Sequence, residues 1–235
     1  MGSSAPSDPS RRRRLLYGRR KGPKLSPHKE ELRRTLLPRL TFELCPGADP
    51  RTYFDAVDDV WLEVGFGGGE HLLEQARVHP HVGLIGAEPY EAGVAKLLSK
   101  IEGTDASNIR IHEGDARDIV EALPDASLGC VFILFPDPWP KTRHHKRRFV
   151  QTEMLDALAR VMKPGAELRL ASDDAEYIAW TLERAMAHPD FAWTAERAAD
   201  WKSRPQGWPQ TRYEAKALHG PPAYLLFVRK SKMAT

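Results

Sequence analysis

Two cysteines in 235 residues, Cys45 and Cys130, make no disulfide framework and no metal-ligand spacing. A reducing, cytoplasmic setting follows as the default. No apolar run is long enough to cross a membrane. The nine histidines, His144-His145 among them, show no zinc spacing, which argues against a metal. No internal repeat is present, and Arg11–Arg14 are not followed by the apolar run of a secretory signal. An arginine-rich, acid-poor start remains compatible with a mitochondrial presequence.

What the chain does have is charge, unevenly placed. Residues 1–40 hold twelve Lys/Arg against three Asp/Glu, a net +9 that leaves −6 for the remainder. A basic arm on an acidic body suits nucleic acid, and the arm offers little apolar surface for a membrane. Arg19-Arg20-Lys21 and Lys24 seek phosphate, with Tyr17 as a stacking candidate. Residues 1–30 lack periodicity and read as disordered in isolation, while Glu30 to Leu37 predicts a short helical turn ended by Pro38. The division that follows is a largely disordered basic arm over 1–40 and a single domain over 41–235, with its first strand near Asp59.

The pattern from Val60 to Val64 predicts a strand, then the turn Gly65-Phe66-Gly67-Gly68-Gly69 and a helix from Glu70 to Arg77. Strand, glycine turn and helix bring the backbone at Gly65 and Gly67 close to a cofactor at a sheet's carboxyl edge. The dinucleotide form of the motif fails, because Glu70 occupies its last glycine position. Glu63 would also oppose a pyrophosphate; its carboxylate favours a cationic ammonium group or neutral hydroxyls. Val82 to Ala87 predicts the next strand, ending at Glu88, which is placed to accept from both ribose hydroxyls or to cap the helix from Tyr90 to Ile101. After a third strand, Ile109 to His112, Asp115 either accepts from an adenine amino group or caps the next helix. Parallel strands place Glu63, Glu88 and Asp115 on one rim.

The stretch from Gly129 to Phe149 organises the rest. Val131 to Phe135 reads as a strand covered on both faces, stopped by Pro136, Pro138 and Pro140 around Asp137. Lys141, Arg143, Lys146, Arg147 and Arg148 follow directly. A carboxylate on a rigid turn beside these cations suggests a polyanionic substrate brought to Asp137; an acidic loop before a solvated basic helix start is the alternative. Phe149 to Val161 has helical spacing, ended by Pro164-Gly165, and Leu168 to Ala171 predicts a strand. Asp173 stands at that strand's carboxyl end, facing substrate, and Asp174 caps a helix through Met186. Trp193 begins an edge strand. Within the aromatic loop 200–222, Thr211-Arg212-Tyr213-Glu214 suits either reading of a base or packing on the domain edge, and Tyr224 to Arg229 forms a last strand. The strands suit an α/β fold with a mostly parallel seven-stranded sheet, helices on both faces and a terminal antiparallel strand.

With its segment Phe135-Pro136-Asp137-Pro138-Trp139-Pro140-Lys141, continuing through Arg143-His144 and Lys146-Arg147-Arg148, the chain resembles the bacterial-type tRNA (guanine-N7-)-methyltransferase family. The resemblance runs from about Tyr17 to Arg229 and implies a Rossmann-like class I fold, S-adenosylmethionine as cofactor, and methylation of the guanine at position 46 of the tRNA variable loop. It assigns Glu63 to the methionine side of the cofactor, Glu88 to the ribose, Asp115 to the adenine side, and Asp137 to both catalysis and cofactor contact. Substrate positions fall on Lys141, Asp173 and Thr211 to Glu214; Arg143, Lys146, Arg147 and Arg148 are expected to meet phosphate. Pro140 replaces a more usual His or Asn, Trp208 stands where many members have Arg, and Arg212-Tyr213 stand for Lys-Phe. The expected partner is tRNA, with no obligatory protein subunit, as a monomer or homodimer.

Competing readings make different demands. A Rossmann oxidoreductase is disfavoured by Glu63 and Glu70. A methyltransferase of exocyclic amines would carry a second consecutive proline, which Asp137-Pro138-Trp139 lacks. A non-catalytic RNA-binding module would not bind S-adenosylmethionine stoichiometrically.

Overall fold

The chain enters its fold through two short helices, α1 (Pro27–Thr35) and α2 (Leu37–Leu40), in a computed structural model that describes residues 20–211, 213–216 and 220–231. Pro27 and Pro38 each sit in a helix's first turn, where the missing amide costs no intrahelical bond. The helical turn expected over Glu30 to Leu37 therefore starts earlier, and Pro38 opens a helix instead of ending one. Leu32 and Leu40 are buried in the cluster that holds Leu84, Leu97, Leu98 and Ile109, so α1 and α2, within the segment expected to be largely disordered, are helical and dock on the domain through these two side chains. Arg11–Arg14, Tyr17 and Arg19 lie outside the described residues.

Seven strands follow: β1 (Asp59–Val64), β2 (Val82–Ala87), β3 (Ile109–His112), β4 (Leu128–Leu134), β5 (Met162–Ser172), β6 (Phe191–Trp193) and β7 (Ala223–Arg229). Their order in the sheet is β3-β2-β1-β4-β5-β7-β6, with β1 to β5 parallel and β7 antiparallel to both its neighbours, β5 and β6. Central strands read as continuous apolar runs because both faces are covered; β2 is buried along its whole length. On one face lie α3 (Glu70–Val78) and α4 (Glu91–Ile101), packed with α1 and α2 around Leu72, Leu84 and Leu97. On the other lie α5 (Ala116–Ala122), α6 (Thr152–Val161) and α7 (Ala175–Ala187), around Leu62, Val131 and Leu168. A short α8 (Ala199–Lys202) precedes the aromatic loop.

Three boundaries differ from expectation. α6 starts at Thr152, leaving Phe149 and Val150 as buried residues ahead of it. β5 begins at Met162 and contains Pro164-Gly165, because the pairing with β4 shifts there: Leu128 faces Met162 while Cys130 already faces Glu167. A bulge spares Pro164 the ladder bond it cannot donate. Trp193 closes β6 instead of beginning it. At the opposite edge, Thr41 bridges to Ile111 and the Phe42 amide donates to the Ile111 carbonyl at 2.8 Å.

Replacing Leu32 by Ala tests the docking of α1. The cavity should cost roughly 2–3 kcal/mol, within the usual range for a buried leucine, and lower the urea midpoint without changing the m-value. An unchanged midpoint would show that α1 rests on the domain without stabilising it.

Candidate active site

The parallel register lines up the carboxyl ends of β1, β2 and β4, with Glu63 beside Gly86 and Phe132. From β1 the chain enters the glycine turn, where Gly65, Gly67 and Gly69 have φ of +70°, +55° and +74°, a region that side chains rarely adopt. Gly93 lets α4 approach: a Cβ there would lie 2.5 Å from the Gly67 carbonyl oxygen. Glu88 then ties the turn to the second strand end, one oxygen accepting from Gly67 N at 2.7 Å and the other from Tyr90 N at 2.8 Å. Lys100 closes the outer side through the Gly68 carbonyl at 2.7 Å and Glu70 at 2.6 Å. The expected cap role of Glu88 is thus real, and it also shapes the glycine turn.

Burial pushes the Glu88 carboxyl above its ordinary value, opposed by its two amide donors and reinforced by Asp137 and Glu63. Glu63 is buried against His71, whose Nδ1 lies 2.8 Å from its Oε2. Asp115 caps α5 through Arg117 N at 3.0 Å and pairs with the same residue's guanidinium at 3.1 Å. Its capping alternative is realised, while the residue still lines the cleft below Glu88.

Asp137 sits on a turn with unusual backbone. Phe135 and Trp139 have φ of +50° and +45°, left-handed conformations that are costly for bulky side chains and concentrate at functional sites. Arg148 braces this turn: Nε donates to Pro138 O at 2.8 Å, and Nη2 reaches Trp139 O at 3.5 Å and Glu176 at 2.8 Å. Its guanidinium also stacks on Trp180 of α7 at 4.8 Å. Arg148 is 1% exposed, so the expected phosphate contact is corrected: this cation is consumed inside the protein. Lys141, Arg143 and Lys146 are exposed, and Arg147 stacks on Trp139 at 4.9 Å at the cleft edge. His144 is held below its ordinary value by desolvation and by Arg147, Arg143, Lys141 and Lys146 around it. Those cations form a single positive ridge beside Asp137.

Asp137 keeps an exposed edge, yet the protein around it desolvates the carboxyl and raises its pKa above the ordinary 3.8. Two adjoining clefts of about 270 and 230 Å³ share Gly65, Leu134 and Phe135. Glu63, Gly67, Thr211 and Tyr213 line the first; Glu88, Asp115, Asp137 and Trp139 line the second. A larger cleft of about 510 Å³ opens among Leu36, Arg39, Thr104 and Arg110, at the amino end of β3 and away from the acidic rim. The smaller pair is the candidate site, because it gathers the strand-end carboxylates and the braced turn.

From the far side, Tyr213 brings its ring 5.5 Å from Phe135, and burial together with Asp173, Asp137 and Asp174 raises its pKa. Asp173 is buried beyond the end of β5. Glu214 differs from its expected substrate role: its carboxylate takes Arg204 Nε at 2.8 Å and the Tyr224 hydroxyl, so it anchors the loop. Thr211 and Glu214 also exchange bonds, Glu214 N to Thr211 Oγ1 at 3.2 Å and Thr211 N to Glu214 Oε2 at 3.4 Å. Arg212 lies outside the described residues. Sequence reasoning gave no role to His71 or Arg204; their carboxylate partners, Glu63 and Glu214, lie eight and ten residues away and meet them only through the fold, and no local motif marks them.

A methyltransferase family model, described as "Putative methyltransferase", matches residues 58–223. A tRNA (guanine-N(7)-)-methyltransferase of Rhodospirillum rubrum is 51% identical over 227 residues, spanning 93% of this chain and 89% of its own. A protein of the same description from Brucella anthropi is 47% identical, with 95% and 98% covered. The chain belongs to the tRNA (guanine-N(7)-)-methyltransferase family. Among solved structures, the 16S rRNA methyltransferase KamB superposes with a TM-score of 0.52 at 16% identity over 79% of this chain and 95% of that one. That likeness shows the shared class I methyltransferase fold. Within this family member, the glycine turn and the strand-end acids are the elements that suit S-adenosylmethionine: Glu88 offers an acceptor for hydroxyls and Glu63 a carboxylate for an ammonium, with Lys96 in the lining of the Glu63 cleft.

Arg148→Ala should lower stability by roughly 2–4 kcal/mol, since charged hydrogen bonds are lost and buried carbonyls are left unmet. Arg147→Ala should leave the thermal transition close to that of the parent chain, as followed by circular dichroism. Equal melting of both variants would reject the brace.

Proposed function

We propose that this chain transfers a methyl group from S-adenosylmethionine to N7 of a tRNA guanine, at variable-loop position 46, in the cytoplasm and without an obligatory protein partner. The observation that carries the reading is Asp137 on a braced turn, between clefts lined by cofactor-type acids and a ridge of exposed cations. Relatives of 51% and 47% identity bear that activity in their names. Among the described residues no helix is long and apolar enough to cross a membrane.

When bound, the cofactor supplies an electrophilic methyl on a sulfonium centre. Glu63 would hold its ammonium group, Glu88 its ribose hydroxyls and Asp115 its adenine side. Guanine N7 presents an in-plane lone pair at neutral pH, so no proton has to be removed before attack. Asp137 therefore acts as an orienting and charge-stabilising group as the ring becomes positive, and not as a strong base. Tyr213, Thr211 and Asp173 close the nucleotide side, with Arg212 assigned to the same segment. Lys141, Arg143, Lys146 and Arg147 take phosphate, which makes binding salt-dependent. The Arg20 carbonyl accepts from Glu91 N at 3.1 Å, so the basic arm meets the fold at the first turn of α4, beside Glu88. That placement supports a role for the arm in holding RNA across the same rim.

Incubation of an unmodified tRNA transcript with S-adenosylmethionine, followed by nucleoside mass spectrometry and aniline cleavage mapping, tests the proposal. N7-methylguanosine at one variable-loop site is expected; product on an exocyclic amine would reject it.

Glu88→Ala should weaken S-adenosylhomocysteine binding by roughly 1–3 kcal/mol, the scale of a charge-assisted hydrogen bond, and leave tRNA affinity little changed. Calorimetry showing undiminished affinity would remove Glu88 from the cofactor site. For Asp137→Asn at saturating cofactor, single-turnover transfer should fall about thirty- to a thousand-fold, the equivalent of roughly 2–4 kcal/mol. The ionised carboxylate is the working form and burial raises its pKa, so the parent rate should decline on acidification at a pH above the ordinary aspartate value of 3.8. The Asn variant should lack that acidic limb.

A further inference from the structure

The glycine turn is followed at once by α3, whose first turn carries His71 back beneath the sheet's rim. His71 and Glu63 are 2% and 3% exposed, and Glu63 accepts at 2.8 Å from the Nδ1 side of the ring. A buried carboxylate needs such a donor, and an imidazole carrying its proton on Nδ1 supplies it without neutralising the carboxylate. The same ring is wedged edge-on between Phe132 of β4, at 4.7 Å, and Trp208 of the aromatic loop, at 5.3 Å. One turn further along α3, Gln75 Nε2 donates to the Gly207 carbonyl at 3.4 Å. The face of α3 behind the cofactor acid is thus the floor on which the 203–216 loop rests.

Trp208 is the loop's inner contact. It packs edge-on against Phe132 and Tyr224, each at 5.9 Å, and Tyr224 in turn holds Glu214 with Arg204. Beyond Trp208 the loop delivers Thr211 and Tyr213 into the cleft that Glu63 and His71 also line. His71 Nε2 and Trp208 Nε1 are both buried without a hydrogen-bond partner among the described residues, which makes the seat sensitive to small shifts of either ring.

We propose that His71 is a positioning residue with two separable duties: its Nδ1 fixes the Glu63 carboxylate that receives the cofactor's ammonium group, and its ring seats Trp208 and with it the nucleotide-side loop. The proposal rests on the methyltransferase reading for what the two ligands are. A single ring that touches the cofactor acid and the loop makes the two binding events depend on one another, so occupation of the cofactor cleft tightens tRNA binding and, by linkage, the reverse.

Two substitutions separate the duties. His71→Asn keeps an amide N–H near the Nδ1 position and removes the ring; His71→Phe keeps a ring and removes the donor. Calorimetry with S-adenosylhomocysteine and filter binding with an unmodified tRNA transcript, each with and without the other ligand, read both sites in the folded full chain. His71→Asn should hold S-adenosylhomocysteine within about twofold of the parent, while losing the mutual enhancement and raising Kd for tRNA about tenfold. His71→Phe should bind S-adenosylhomocysteine at least tenfold more weakly and keep its Kd for tRNA near the parent value at saturating cofactor. Trp208→Ala should reproduce the Asn pattern from the loop side, which keeps the test decisive if a His71 variant fails to fold. Parallel losses for both ligands in all three variants, or no loss in any, would overturn the proposal. A parent chain that binds both ligands but makes no N7-methylguanosine would refute the methyltransferase reading instead, with the affinity measurements still deciding the role of His71.

Discussion

Arg148 is almost wholly buried, and a guanidinium taken out of water is tolerated only where acceptors and aromatic faces are already in place for it, so each partner's position is constrained by the others. Its donors meet the Pro138 and Trp139 carbonyls on one side and Glu176 of α7 on the other, with the ring of Trp180 beneath. The left-handed backbone at Phe135 and Trp139 would not persist alone, since each such residue costs on the order of 1–3 kcal/mol. Charge-assisted bonds of similar size offset that cost. Asp137, held between two prolines inside the clamp, has little conformational freedom left, and a contact with a developing positive charge is worth most when no reorganisation precedes it.

Around that turn the protein accepts an electrostatic burden. Glu63, Glu88 and Asp137 gather within one rim, and the charges of Asp137 and Glu63 add to burial in raising the pKa of Glu88. Each acid has its own compensation: His71 for Glu63, the Gly67 and Tyr90 amides for Glu88, access to solvent for Asp137. An acidic rim repels a pyrophosphate and attracts a sulfonium-bearing, ammonium-bearing molecule. The cationic ridge stands just outside it, where a phosphate backbone can be held without entering the cofactor clefts. Under the proposed assignment, substrate and cofactor of opposite charge meet different sides of Asp137.

Much of this was legible in the sequence because parallel strands advertise themselves. Continuous apolar runs at Val60, Val82 and Val131 predicted the central sheet, and an acid directly after a run marks its carboxyl end. The prolines around Asp137 announced a rigid turn, though not its left-handed residues. Arg148 was misread for a physical reason: in a run of five cations, the one that turns inward is chosen by Trp180 and Glu176, which come 28 residues or more later. Glu214 was misread likewise, since only the fold brings Tyr224 and Arg204 to it. The helical turn over Glu30 to Leu37 was legible, but the start of α1 at Pro27 and the whole of α2 were not, in a basic, proline-containing segment where Leu32 and Leu40 supply the fully buried contacts. The bulge at Pro164 is a matter of register between strands and leaves no local trace.

The pairing of Thr41 and Phe42 with Ile111 has a consequence for how the molecule behaves among its neighbours. An open sheet ends in two rows of backbone groups, and either can serve as a template on which another chain grows as an added strand. Here the β3 side is already engaged by the protein's own segment, and the β6 side offers three residues. A second molecule arriving edge-on finds too short a ladder to hold it. Strand addition, whether into an ordered dimer or a disordered aggregate, therefore finds little backbone to pair with at either end of the sheet.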